Sequence, residues 1–95
     1  MAQGALDGLR LIEMGQLIAG PFCGQLMADH GADEIKIATP KVGDAMRNWG
    51  QGIPLWFSVV ARNKKSITLN LREKEGQAIV RQLAEKADFL LENFR

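Results

Sequence analysis

The sequence predicts an α/β fold: a small parallel sheet of about four strands flanked by helices. Three observations point there. Residues 9–37 contain a strand pattern, a helix pattern and a second strand pattern, and only a crossover unit joins parallel strands in so short a span. Residues 66–71, SITLNL, alternate apolar and polar side chains as a strand does. Residues 72–87 carry an amphipathic helix pattern that runs directly into the apolar DFLLEN.

In chain order, LRLIE (residues 9–13) is a short apolar run with β-forming character. The next segment, MGQLIAG, has two glycines that mark a loop. Pro21 suits the first turn of a helix in which Phe22, Leu26 and Met27 recur at helical spacing until Gly31 stops it. DEIKI (33–37) then reads as the second strand.

The stretch ATPKVGDAMRNWGQGIP, with two prolines and three glycines, is a long connection. Asp44 is placed to cap a short helix through AMRNW. LWFSVVA (55–61) is apolar throughout and is expected to be helical. Basic RNKK leads into the third strand, SITLNL. In the second long helix Ile79, Leu83 and Ala87 fall at i, i+4 and i+8, with Val80 and Ala84 beside them. DFLLEN (88–93) is the fourth strand. In open sheets of this kind ligands bind beyond the carboxyl ends of the strands, at a switch point in strand order. That rule brings GQLIAG, the loop after Ile37 and NFR towards one edge.

The chain has 95 residues, 46% of them hydrophobic and 24% charged, which fits one globular domain over 1–95. Its formal net charge of +1 provides no field for gathering nucleic acid or an anionic membrane. No apolar run approaches the ~20 residues of a membrane span, and a cytoplasmic location is expected. Cys23 is the only cysteine and His30 the only histidine, so neither a disulfide framework nor a metal site is expected.

The residues that could carry chemistry each have two readings. GQLIAGP can aim backbone N–H groups at an anion, or its glycines serve only tight packing. Arg62, Lys64 and Lys65 can hold a polyphosphate, or are the solvated start of a strand. Cys23 in the first helical turn is either reactive or, as expected here, packed and inert. His30 sits at the helix stop as a dipole partner or a surface residue. Asp44 and Arg47 form a cap and its neighbour or meet a ligand carboxylate, and Trp49 and Trp56 wall a ring or fill a core. A general nucleotide-binding domain is the weakest reading, because no phosphate fingerprint is present.

Taken in order, GQLIAGPFCGQLMADHGADEIKI, GDAMRNWG, RNKKSITLNL and EGQAIVRQLAEKADFLLENFR resemble the N-terminal segment of the class III CoA-transferase family. That group includes formyl-CoA transferase, carnitine CoA-transferase and α-methylacyl-CoA racemase. The resemblance runs from about Leu6 to Arg95. It implies a Rossmann-like CoA-binding domain, completed elsewhere by a second domain and a returning C-terminal segment in an interlocked dimer. By position, Leu17, Ile18 and Ala19 match the loop beside the thioester end of CoA, and Ala61, Arg62, Asn63 and Lys64 match residues that hold its nucleotide portion. Asn93, Phe94 and Arg95 match a further CoA-contacting stretch.

The resemblance also implies a CoA thioester as substrate, no metal, and partners that are either a second copy or the missing C-terminal segments. The family transferases' nucleophilic aspartate lies well beyond this stretch, so the chain is expected to be truncated relative to the family and inactive alone. The alternatives are a racemase-type fragment and a self-associating module that has lost CoA binding. Ala38 and Thr39 depart from the Glu and then Arg or Pro often found in the family, which removes one expected CoA contact.

Overall fold

A computed structural model describes residues 4–16, 18–40, 59 and 61–94. The expectations for Leu17, Asp44, Arg47, Trp49, Trp56 and Arg95, and most of the expected helix over 55–61, lie outside the described residues. Among the described residues four strands form the sheet: β1 (Arg10–Glu13), β2 (Asp33–Ala38), β3 (Lys65–Thr68) and β4 (Phe89–Leu91). Helix α1 (Ala19–Asp29) connects β1 to β2, and α2 (Lys74–Glu85) connects β3 to β4.

All pairings are parallel, in the order β3-β2-β1-β4. The chain steps outwards from β1 through β2 to β3, then returns to lay β4 on the other side of β1. The strand order therefore switches direction between β1 and β4, where Met14 N–H donates to the Leu91 carbonyl at 2.8 Å. At the amino end of the same junction Asp88 N–H donates to Arg10 O (2.9 Å), and Arg10 N–H donates to the Asp88 carboxylate (2.8 Å).

The register sorts side chains onto two faces, because successive strand residues alternate. Leu11 lies opposite Glu34 and Glu13 opposite Lys36 on one face; Ile12 opposite Ile35 and Ile37 opposite Ile67 make the other. Leu11 and Ile12 are fully buried, each contributing on the order of 1.5–3 kcal/mol of burial. Helix α1 covers the face of Glu13 and Glu34: a methyl group built on Gly24 would overlap a carboxylate oxygen of each.

The end of α1 follows from Gly31, whose φ of +104° suits a residue without a Cβ. With it, Gly31 N–H reaches the Ala28 carbonyl (3.0 Å) and Ala32 N–H the Met27 carbonyl (3.1 Å), the paired bonds of a Schellman stop. His30, at the cap, bonds through Nδ1 to the Leu26 carbonyl at 2.7 Å.

The helix expected from the spacing of Phe22, Leu26 and Met27 is present, but the expectation of an inert, packed Cys23 needs correction. Phe22 and Leu26 face outwards, 48% and 46% exposed, while Gly20, Pro21, Gly24, Gln25 and Ala28 form the buried side. Small residues let the helix approach the sheet closely, and the large ones are turned away. Cys23 is exposed rather than packed.

β3 ends at Thr68, short of the expected Leu71. Asn70 turns the chain there, its side chain accepting from Arg72 N–H (3.1 Å) and its carbonyl from Glu73 N–H (3.1 Å).

Candidate functional site

Met14, Gly15 and Gln16 leave the carboxyl end of β1 at the switch point, and Asn93 closes on them from beyond β4. The Asn93 side-chain oxygen accepts from Gln16 N–H at 2.9 Å, and its amide nitrogen donates to the Gln16 carbonyl at 3.0 Å. Gly15 and Gly20 make room for this clamp, since a Cβ on Gly20 would come within 3.1 Å of Asn93 Oδ1 and one on Gly15 would overlap it. Ile18, Ala19 and Phe94 are exposed around the clamp, Ile18 at 54% and Phe94 at 49%. The structure thus brings Ile18, Ala19, Asn93 and Phe94 together.

Arg62, Asn63 and Lys64 stand elsewhere, just before β3 and beside the last turn of α1. Arg62 Nη2 pairs with Asp29 Oδ2 at 2.8 Å, and Asn63 Nδ2 donates to Asp29 Oδ1 at 2.8 Å. Asn63 does so from a left-handed backbone, φ 64°, a conformation asparagine tolerates better than most residues. The hydrogen bond from Arg62 is the main reason the Asp29 carboxyl falls to about 2. Ala61, half-buried, precedes this group. Lys65 pairs with Asp33 (3.0 Å), and its hydrogen bond leads in holding Asp33 below the ordinary range.

Lys64 does not join the exposed basic surface. Its side chain is 1% exposed and its ammonium lies between Glu13 Oε1 (2.6 Å), the Pro21 carbonyl (2.8 Å) and, further off, Glu34 Oε1 (3.6 Å). Lys36, equally buried, pairs with Glu13 Oε2 and donates to the Gly15 carbonyl at 3.1 Å. Two carboxylates and two ammonium groups are therefore enclosed beneath α1.

This cluster was not singled out in the sequence, because Glu13, Glu34 and Lys36 look like solvent-facing positions of alternating strands. The signal that finds it is parallelism: parallel sheets are normally covered on both faces, so their polar positions need partners.

Within the cluster the two acids diverge. Burial pushes Glu13 up, but hydrogen bonds from Glu34, Lys36 and Lys64 outweigh it and hold Glu13 below its ordinary value. Burial pushes Glu34 the same way, the neighbouring Glu13 adds to it, and Glu34 rises to about 9. As an ionised carboxylate Glu34 would have no hydrogen-bond donor for either oxygen among the described residues. A proton on Glu34 turns its contact with Glu13 into a hydrogen bond, which is the arrangement that burial favours. Among the described residues no group of three or more His, Cys, Asp or Glu side chains is placed to hold a metal ion, and no helix is long and apolar enough to cross a membrane.

A parallel sheet with this strand order, helices in the β1–β2 and β3–β4 crossovers and a glycine-containing stretch at the switch point define an α/β protein of the Rossmann-like kind. The particular family is CoA-transferase family III, whose model matches residues 6–95, and the chain belongs to it. Among curated relatives it is 55% identical over 94 residues to the succinyl-CoA–D-citramalate CoA-transferase of Chloroflexus aurantiacus, a match covering 95% of this chain and 23% of that one. It is 42% identical to the formyl-CoA:oxalate CoA-transferase of a Bradyrhizobium species, over 95% of this chain and 22% of the relative.

A crystal structure of a CAIB/BAIF family protein from Brucella suis superposes with a TM-score of 0.91 at 39% identity, covering 97% of this chain and 26% of that one. A hypothetical protein from Mycobacterium tuberculosis gives 0.86 at 33% identity, over 95% and 25% respectively. The chain spans about a quarter of the length of the relatives it matches.

Proposed function

We propose that residues 1–95 form a single CoA-binding unit, contributing one side of the acyl-CoA site of a class III CoA-transferase. The observation that carries this reading is the clamp of Asn93 on the β1–α1 loop, at the switch point where doubly wound folds receive ligands. In this reading Leu17, Ile18 and Ala19 face the thioester end of CoA, with the free N–H groups at the start of α1 beside it. Asn93, Phe94 and Arg95 line the same end.

Ala61, Arg62 and Asn63 receive the nucleotide portion. They lie at the far end of α1, whose eleven residues span roughly 16 Å at about 1.5 Å per residue. An elongated ligand such as CoA, with a phosphate-bearing head and a long arm, is of the right shape to reach both groups. Arg62 is exposed, and surface ion pairs of its kind contribute little, so its guanidinium can exchange Asp29 for a phosphate at small cost. Lys64 acts from below the surface, through the Pro21 carbonyl, rather than on phosphate directly.

The relatives are named for CoA transfer from succinyl-CoA and formyl-CoA, and a CoA thioester is the ligand proposed here; the acyl group belongs to parts of the family fold beyond these residues. Calorimetric titration of CoA into the 95-residue chain tests the reading. Saturable binding that weakens in both Arg62→Ala and Asn93→Ala is expected, and a folded chain that takes up no CoA overturns it.

Self-association through β4 is a second reading. Phe89 and Leu90 on that edge strand are 46% and 54% exposed, and an apolar strand edge invites pairing. Sedimentation equilibrium decides it: a concentration-dependent dimer is expected, and a monomer at all concentrations removes this reading.

A further inference from the structure

The buried cluster touches the β1–α1 loop at both ends. Lys36 holds the carbonyl of Gly15, where the loop leaves β1, and Lys64 holds the carbonyl of Pro21, in the first turn of α1. Glu13 joins the two ammonium groups, one through each carboxylate oxygen. Three of the four charged side chains are thus committed to the loop or to one another. Glu34 is the fourth, and is oriented into the same enclosure with both oxygens lacking a donor among the described residues.

We propose that Glu13, Glu34, Lys36 and Lys64 form a positioning device for the β1–α1 loop, in which a proton on Glu34 keeps Lys64 bound to the Pro21 carbonyl. The groups that face Glu34 among the described residues are Glu13 from β1, Lys36 on its own strand, Lys64 ahead of β3 and the bare Gly24 backbone of α1. While Glu34 is neutral, its proton is shared with Glu13 and its attraction for Lys64 is weak, consistent with a separation of 3.6 Å against 2.6 Å for Glu13. Once Glu34 ionises, a second carboxylate competes for the Lys64 ammonium in a medium of low dielectric, where such attractions are strong. The N–H now donated to Pro21 is the one that can turn to it. The first turn of α1 then loses its anchor, while Lys36 still holds Gly15 and Asn93 still holds Gln16.

The consequence for ligand binding rests on the reading that this loop meets the thioester end of CoA, but the device itself can be tested with no ligand present. In carbon-detected NMR of the chain labelled with ¹³C, the Glu34 side-chain carboxyl is expected to titrate at alkaline pH. The backbone carbonyl of Pro21 should move upfield with the same midpoint as its hydrogen bond is lost, and Gln16 should stay unchanged. In Glu34→Gln the Pro21 carbonyl should no longer respond. Titration of Glu34 in the ordinary carboxylate range, or a Pro21 carbonyl indifferent to it, overturns the proposal, and the wild-type chain alone decides this if the variant does not fold.

Acetyl-CoA, which has no free thiol, then serves as the binding probe. Its affinity should fall by up to about tenfold per pH unit above the Glu34 midpoint, the limit for one linked proton, and this fall should be absent in Glu34→Gln. A Pro21 carbonyl that follows Glu34 in a chain that binds no acetyl-CoA at any pH supports the positioning device and removes the CoA-binding reading instead.

Discussion

The two faces of the sheet are built from the same four strands and solve burial in opposite ways. On one, Ile12 and Ile37 are buried with the half-buried Ile35 and the exposed Ile67 as aliphatic neighbours. On the other, under α1, Glu13, Glu34 and Lys36 are buried almost completely and Lys64 joins them from the segment before β3. The aliphatic face is non-directional and tolerates small changes of shape. The charged face holds only while every partner is present, because an isolated buried charge is far more costly than a lost methyl group. What it gains is orientation: Glu13, Lys36 and Lys64 fix where α1 and its preceding residues must sit.

Substitutions on the two faces should separate accordingly. Glu13→Ala leaves two buried ammonium groups without their shared carboxylate, and a loss of about 3–5 kcal/mol is expected from urea unfolding. Smaller damage here than from a core truncation such as Ile12→Ala would mean that water enters under α1.

Gly24→Ala would ordinarily favour a helix, yet its methyl group would meet Glu34 and Glu13, with Glu34 Cδ at 2.9 Å. A net destabilisation of about 1–3 kcal/mol is expected, and a gain in stability would show that the carboxylates can withdraw.

Glu34 supplies a test in pH. Its folded value lies above its unfolded one, so its contribution is fully present below the unfolded value of about 4.3 and is lost as pH rises through about 9. The urea midpoint should therefore fall between pH 7 and pH 10 in the wild type, and that fall should be smaller in Glu34→Gln. On the aliphatic face Ile12→Val should cost only about 0.5–1.5 kcal/mol, with no change in pH dependence. The smallest effect is expected at Arg62→Ala: stability barely changes, but the Asp29 carboxyl, followed by NMR, should climb from about 2 towards its ordinary value.

The same contrast explains what could be read from the sequence. The apolar run of LRLIE and the alternation of DEIKI locate β1 and β2 to within a residue, and Gly31 marks the end of α1. The strands β3 and β4 are shorter than their apolar runs, because β1 and β2 offer only a few residues for them to pair with. For the site, the rule for open sheets expects GQLIAG, the loop after Ile37 and NFR at one edge; among the described residues Gly15, Gln16 and Gly20 do meet Asn93, while Leu17, Arg95 and most of that loop lie outside them. Arg62 and Asn63 were visible as residues, but their partner Asp29 is 33 and 34 positions away, and no local pattern links them. The enclosure under α1 was hidden for a different reason: Glu13, Glu34 and Lys36 occupy positions that would face water in an antiparallel sheet with one open side.

The position of β1 also governs the order in which the molecule can assemble. β1 is made before β2, β3 and β4 yet is central in the sheet, and one of its neighbours, β4, joins it across a separation of 78 residues between Arg10 and Asp88. At synthesis rates of 5–20 residues per second, that neighbour arrives about 4–16 s later. During that interval β1, α1 and β2 can pair while one edge of β1 stays open to any passing strand. The pairing of β1 with β4 should therefore be a late step in folding, and that edge of β1 is covered only once residue 91 has emerged.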